Sequence, residues 1–135
     1  MKTLPVSFNE ALEQSVKKYW NRNALSDYGE ITFQYKDAAR IIAKLHILFE
    51  ETGIKKGDKI ALCGSNSSRW GMAFIATITY GAVAVPILPD FHPEQIHQIT
   101  NHSEARLFFA ADKIWKKINA EEMPNLIGII GTEDY

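Results

Sequence analysis

Apolar residues along this chain alternate between two periods, and each change of period marks a new element. Phe8, Leu12 and Val16 recur every four positions, which places them on one helical face. Ser7, with Glu10 three residues on, forms a capping box that opens this helix, predicted to run to about Trp20. Ala24-Leu-Ser26 and Ile31-Thr-Phe33 flank Asp27-Tyr-Gly-Glu30, which predicts a small β-hairpin. From Tyr35 to about Thr52 the apolar positions Ala38, Ile41, Ile42, Leu45, Leu48 and Phe49 keep the helical period, and Gly53 supplies the stop.

Beyond Gly53 the pattern becomes more apolar and shorter in stride. Lys55-Lys-Gly-Asp58 reads as a turn into the strand Lys59-Ile-Ala-Leu-Cys63. Asn66 or Ser67 can cap a helix to Tyr80 that is apolar on most sides, hence buried. A strand from Ala82 to Ile87 follows. Pro93 opens a helix to about His102, and Arg106-Leu-Phe-Phe-Ala110 is a further apolar strand. A short helix from Asp112 to Ile118 and the strand Leu126-Ile-Gly-Ile-Ile130 complete the series. Strands alternating with helices predict an α/β fold: a mostly parallel sheet flanked by helices on both faces, with a small N-terminal β-hairpin. The stretch from Trp70 to Leu88 is long and apolar enough to raise a membrane span. Gly81, Pro86 and the β-branched residues between them instead divide it into a helix and a strand, so no transmembrane segment is expected.

Composition narrows the function classes. At 135 residues the chain is read as one α/β domain, 1–135, with no linker or repeat. Fifteen Lys and Arg nearly cancel sixteen Asp and Glu, so no global field draws in nucleic acid, and no basic stripe interleaved with aromatics exists. Cys63 is the only cysteine, which excludes an internal disulfide; in its apolar strand it reads as a buried, inert thiol. The opening Met1-Lys-Thr-Leu-Pro-Val-Ser7 lacks the apolar core of a secretory signal, so a cytoplasmic protein is expected.

Motifs for chemistry are sparse. The turn Gly64-Ser-Asn-Ser-Ser68 lies between a strand and a helix, where α/β folds hold phosphates. It matches neither G-x-G-x-x-G nor G-x-x-x-x-G-K-[ST], so a capped turn is the reading taken. His92, His97 and His102 are spaced by five, a step that turns them off a common helical face, and no metal site is expected. His46 falls among polar positions and reads as solvated; Lys55, Lys56 and Lys59 read as a solvated turn. Trp70, at the entrance to the buried helix, reads as core or rim packing. A receiver-like switch fails for want of acidic residues converging at strand ends.

Five collinear segments carry a family resemblance. Thr32-Phe33 followed by the long helix and Gly53-Ile-Lys-Lys-Gly-Asp-Lys-Ile-Ala-Leu62 resembles the opening T-Y … G-(V/I)-x-x-G-D-(R/K)-V-A-(L/I) of AMP-forming acyl-CoA synthetases. Asn66-Ser-Ser-Arg-Trp70 is similar to N-(S/R)-P-E-W, with Ser68 and Arg69 standing where proline and an acidic residue are common. Tyr80-Gly-Ala-Val-Ala-Val-Pro-Ile-Leu88 and Pro93-Glu-Gln-Ile96 with Asn101-His-Ser-Glu-Ala-Arg106 resemble the two segments that follow. Within this adenylate-forming superfamily the likeness leans toward long-chain fatty-acid–CoA ligases.

The resemblance implies a parent enzyme that joins a fatty carboxylate to the ATP α-phosphate, then passes the acyl group to CoA. ATP, Mg²⁺ and CoA are the cofactors implied for that parent, and none for this chain. Its phosphate-wrapping Ser/Thr/Gly-rich loop, ribose-binding aspartate and catalytic lysine match nothing before Tyr135. No catalytic, cofactor-binding or metal residue is therefore assigned within 1–135. The expectation is an N-terminal scaffold piece, inactive alone, whose partners are the remaining domains of the parent. The alternative is a stand-alone protein-interaction module derived from the same subdomain. With a net charge of −1 and an apolar last strand, the isolated chain is expected to form a homodimer.

Overall fold

Four strands, each at least half apolar, form a parallel sheet in the order β4-β3-β5-β6: β3 (Lys59–Cys63), β4 (Val83–Ile87), β5 (Leu107–Ala110) and β6 (Gly128–Gly131). The computed structural model describes Leu4 and residues 7–135. The stretch read for a secretory signal, Met1 to Ser7, lies outside the described residues apart from Leu4 and Ser7. Ahead of the sheet come helix α1 (Phe8–Tyr19), the antiparallel hairpin β1 (Asn23–Ser26) and β2 (Thr32–Gln34), and helix α2 (Tyr35–Glu51). Helices α3 (Ser68–Tyr80), α4 (Pro93–Ser103) and α5 (Asp112–Trp115) connect the strands, and one 3₁₀ turn at Ala120–Glu122 precedes β6. The architecture is the α/β class read from the sequence.

The period-two alternation of the central strands sorts their side chains between two cores. Ile60, Leu62, Leu107 and Phe109 point to one face, where they meet Ile42, Leu45 and Phe49 of α2 and Ala73 and Ala76 of α3. Ala61, Cys63, Phe108 and Ala110 point to the other, against Ile96 of α4 and Ile114 of α5. Both faces of β3 and β5 are thus covered, which is why these strands read as unbroken apolar runs.

Local signals act where the sequence places them. The Ser7 Oγ accepts the Glu10 N–H at 3.2 Å and the Ser67 Oγ accepts the Trp70 N–H at 3.1 Å. Gly81 ends α3 in the left-handed region at φ 94°, a conformation that costs an L side chain free energy. That break divides the Trp70–Leu88 window into α3 and β4. Among the described residues no helix is long and apolar enough to cross a membrane.

Phe8 lies on the inward stripe of α1 yet is 54% exposed, and α1 buries no residue fully. With Leu12, Val16, Ala38 and Ala39 it lines an apolar groove of about 290 Å³ between α1 and α2. The expectation that His46 is simply solvated needs amending: it is half-buried and has protein partners. Its Nε2 lies 3.0 Å from both the Ala76 carbonyl and the Thr79 Oγ1 of α3, and its ring packs 5.5 Å from Tyr80. It sits beside the buried Ile42, Leu45 and Phe49 on α2, and a tertiary neighbour, α3, supplies its polar partners.

Candidate functional site

In a parallel sheet the crevice for ligands lies beyond the carboxyl ends of the strands, where the strand order reverses. Here β3 is followed by β4 on one side and, after α4, by β5 on the other, so the reversal falls between β3 and β5. The residues that leave these strands there are Gly64 and Ala111. They close the crevice: a β-carbon on Gly64 would stand 2.8 Å from that of Ala111. Glycine is required at this position by the close approach of the Ala111 β-carbon.

The open space at this end of the sheet is displaced toward the hairpin. A cleft of about 410 Å³ is lined by Asp27, Tyr28, Glu30, Asn66, Arg69 and Glu133, among others. The hairpin turn supplies one wall, the Gly64–Ser68 turn a second, and the residues after β6 a third. Arg69 lies with its guanidinium 5.5 Å from the Phe33 ring, and its carbonyl accepts the Tyr135 hydroxyl at 2.7 Å. Tyr135 in turn sets its ring edge-on to Phe109 at 5.7 Å, and burial pushes its phenol well above the ordinary tyrosine range.

The N-terminus of α3 opens on this cleft with part of its hydrogen-bonding capacity already used. The Ser68 N–H donates to the Asp27 Oδ1 at 2.7 Å, across 41 residues of sequence. The Trp70 N–H is held by the Ser67 side chain and the Gly71 N–H by the Ser67 carbonyl. Asp27 therefore supplies the negative charge that a helix N-terminus attracts. Glu30 and Glu133 stand around the same space. A phosphate would have to displace one carboxylate and approach two more, so the turn does not fit the phosphates of ATP.

The remaining candidates lie apart from one another. The His97 Nε2 accepts the Asn119 N–H at 3.0 Å, tying α4 to the loop after α5, while the His92 N–H donates to Gln95. Among the described residues no group of three or more His, Cys, Asp or Glu is placed to hold a metal ion. Cys63 is fully buried at the end of β3, and burial pushes its thiol up to about 11, which suppresses the thiolate. Lys55, Lys56 and Lys59 are exposed at the opposite end of the strands from the cleft. Trp70 stacks on Phe74 at 5.5 Å and is half-buried, a packing role. What sequence reasoning missed was Asp27, which carries only a turn signal locally; its partner lies beyond β2, α2 and β3.

Comparison with known proteins fixes the family. The sequence matches the AMP-binding enzyme family over residues 12–133. The chain belongs to that family. It is 29% identical to a long-chain-fatty-acid–CoA ligase of Escherichia coli over 99 residues, which are 73% of this chain and 18% of the relative. An anthranilate CoA ligase solved with anthranoyl-AMP superposes with a TM-score of 0.85 at 20% identity, over 95% of this chain and 25% of that one. The NpsA N-terminal subdomain of Klebsiella oxytoca superposes with a TM-score of 0.75 at 16% identity, over 94% of this chain and 31% of that one. The two structural likenesses establish the fold. The chain thus spans about a fifth of the curated ligase it matches, and about a third of a solved chain that is itself a subdomain.

Proposed function

We propose that residues 1–135 are the opening scaffold of an ATP-dependent long-chain fatty-acid–CoA ligase and have no ligase activity of their own. The observation that carries this reading is the family match across 12–133 in a chain equal to 18% of the matched ligase. The local geometry supports it. The strand-end crevice is shut by Gly64 against Ala111, and the α3 N-terminus is filled by Asp27. The chain's contribution is a rigid sheet, covered on both faces, against which the ATP- and acyl-binding parts of the enzyme pack. Those parts are its proposed partners, and they bring the sites for ATP, Mg²⁺, CoA and the fatty acid. The whole enzyme is placed in the cytoplasm.

Two experiments test the proposal. Purified 1–135 is expected to show no acid-dependent ATP–pyrophosphate exchange and to bind ATP no better than millimolar by calorimetry. A micromolar dissociation constant for ATP overturns the scaffold reading. Independently, the gene's reading frame is expected to continue past Tyr135 into a Ser/Thr/Gly-rich loop ending in Pro-Lys. A stop codon directly after Tyr135 favours the stand-alone interaction module instead.

A further inference from the structure

The hairpin of β1 and β2 folds the start of α2 back onto the end of α1 and gathers residues that form no stripe along the sequence. The Tyr35 N–H donates to the Arg22 carbonyl at 2.9 Å and the Lys36 N–H to the Trp20 carbonyl at 3.1 Å. The result is a cluster of cations set on aromatic rings. Lys18 and Arg22 stand 5.1 and 5.0 Å from the centre of the Tyr19 ring, and Arg40 stands 5.9 Å from that of Trp20. Tyr35 packs against Tyr19 at 5.9 Å, and the Lys36 Nζ donates to the Asn21 Oδ1 at 3.2 Å. Lys44 continues the series, since residues four apart share one face of α2.

Other surface cations of this chain are neutralised locally: Lys17 pairs with Glu13 and Lys116 with Asp112. Lys18, Arg22, Lys36 and Lys44 make no ion pair among the described residues. Arg40 has Asp37 at 3.9 Å, but that carboxylate is engaged by the Gln34 N–H. Lys18, Arg22, Arg40 and Lys44 are exposed, and so is Trp20 at 41%. Contact with the rings restrains the long side chains beforehand, which lowers the entropy lost when an anion binds them.

We infer that this surface docks an acidic segment of a separate protein, whose carboxylates pair with Lys18, Arg22, Arg40 and Lys44 beside Tyr19 and Trp20. Charge complementarity selects an anion, and Arg, Tyr and Trp are the side chains that carry protein interfaces. The size of the anion follows from the charge of the whole chain. That net charge is −1, so the molecule outside this cluster is acidic. A bilayer or a duplex extends far enough to meet that acidic remainder, whereas a short segment lies within about one screening length, ~8 Å, of the cations alone. The cluster has no apolar centre of the kind a permanent interface buries, so the contact is reversible and made in trans. Docking here is independent of the ligase reading.

Titration of 1–135 with a hexaglutamate peptide at low salt, followed by amide chemical shifts, tests it. Saturable shifts confined to residues 18–22 and 35–44 are expected, and they fade at about 1 M salt, where the screening length is about 3 Å. Arg22→Gln with Arg40→Gln is expected to weaken binding by about tenfold or more. Lys55→Gln with Lys56→Gln removes equal charge from the turn before β3 and is expected to change it by less than about twofold. If the arginine pair does not fold, Lys18→Gln with Lys44→Gln replaces it with the same expectation. Absence of saturable shifts overturns the inference, as do shifts centred on Lys55–Lys59 or equal weakening by both kinds of double variant. Tighter binding to equimolar phosphatidylcholine–phosphatidylserine vesicles, or to duplex DNA, than to the peptide also overturns it, because the surface then serves an extended polyanion.

Discussion

Asp27 joins the hairpin to the sheet, and replacing it measures how much that joint contributes. Asp27→Ala removes the acceptor of the Ser68 N–H but leaves the turn intact, since Glu30 and Ile31 bond to the Asp27 backbone and not to its side chain. A hydrogen bond to an ionised group contributes about 1.5–3 kcal/mol net. The charge at a helix N-terminus adds about 0.3–1 kcal/mol. Against this, the Ser68 N–H borders a cleft of about 300 Å³, so water can take the carboxylate's place. The expected cost is therefore about 1–2 kcal/mol, the range of an ordinary N-cap loss. In urea melts this lowers the midpoint by about 0.5–1 M. Asp27→Asn keeps an acceptor and loses the charge, and is expected to cost about half as much. Ser68→Pro supplies the decisive control, because proline is tolerated at the first helical position and removes the donor. Ser67 is already extended at φ −151° and ψ 163°, as a residue before proline must be. With the bond present, the Asp27→Ala and Ser68→Pro costs are expected to overlap by about 1 kcal/mol in a double-mutant cycle. Strict additivity would show that the carboxylate does not cap α3 in solution, and the account of the filled turn would fall with it.

Two further outcomes follow from burial. Leu62 is fully buried between α2 and α3, so Leu62→Ala is expected to cost about 2–5 kcal/mol, whereas Lys55→Ala stays within about 0.5 kcal/mol. Equal effects in urea melts would contradict this map of the core. The Cys63 thiol is raised from 9.0 to about 11 by burial. The unfolded chain therefore loses this proton first, and stability that is full below pH 9 is expected to drain away as the pH rises toward about 11. The raised Tyr135 phenol acts in the same direction. An aromatic disulfide reagent at neutral pH is expected to modify Cys63 only at the rate of global unfolding; rapid modification of the native chain would place the thiol nearer the surface.

Much of this protein is written in local pattern. Helices and strands are set by spacing over a few residues, and turns by single glycines such as Gly53 and Gly81, so their existence and order were legible. So was the class, because strands buried on both faces must be apolar throughout, as β3 and β5 are. The family was legible for a related reason: its recurring segments lie in these same turns and buried strands. Other features depend on what comes to lie beside a residue, and no window of sequence contains that. His46 is a polar side chain that reads as solvated and is nevertheless held by α3, because the packing of two helices chose which face it occupies. Phe8 has an apolar stripe and is still half exposed, because the groove it lines between α1 and α2 stays open. The Gly64–Ser68 turn looked open to a ligand until the fold delivered Asp27 from 41 residues away and set Ala111 against Gly64. Which strand lies at an edge was likewise a decision of topology: β4 and β6 are both short and apolar, and only the crossover over β3 put β5 in the centre and left β6 outside.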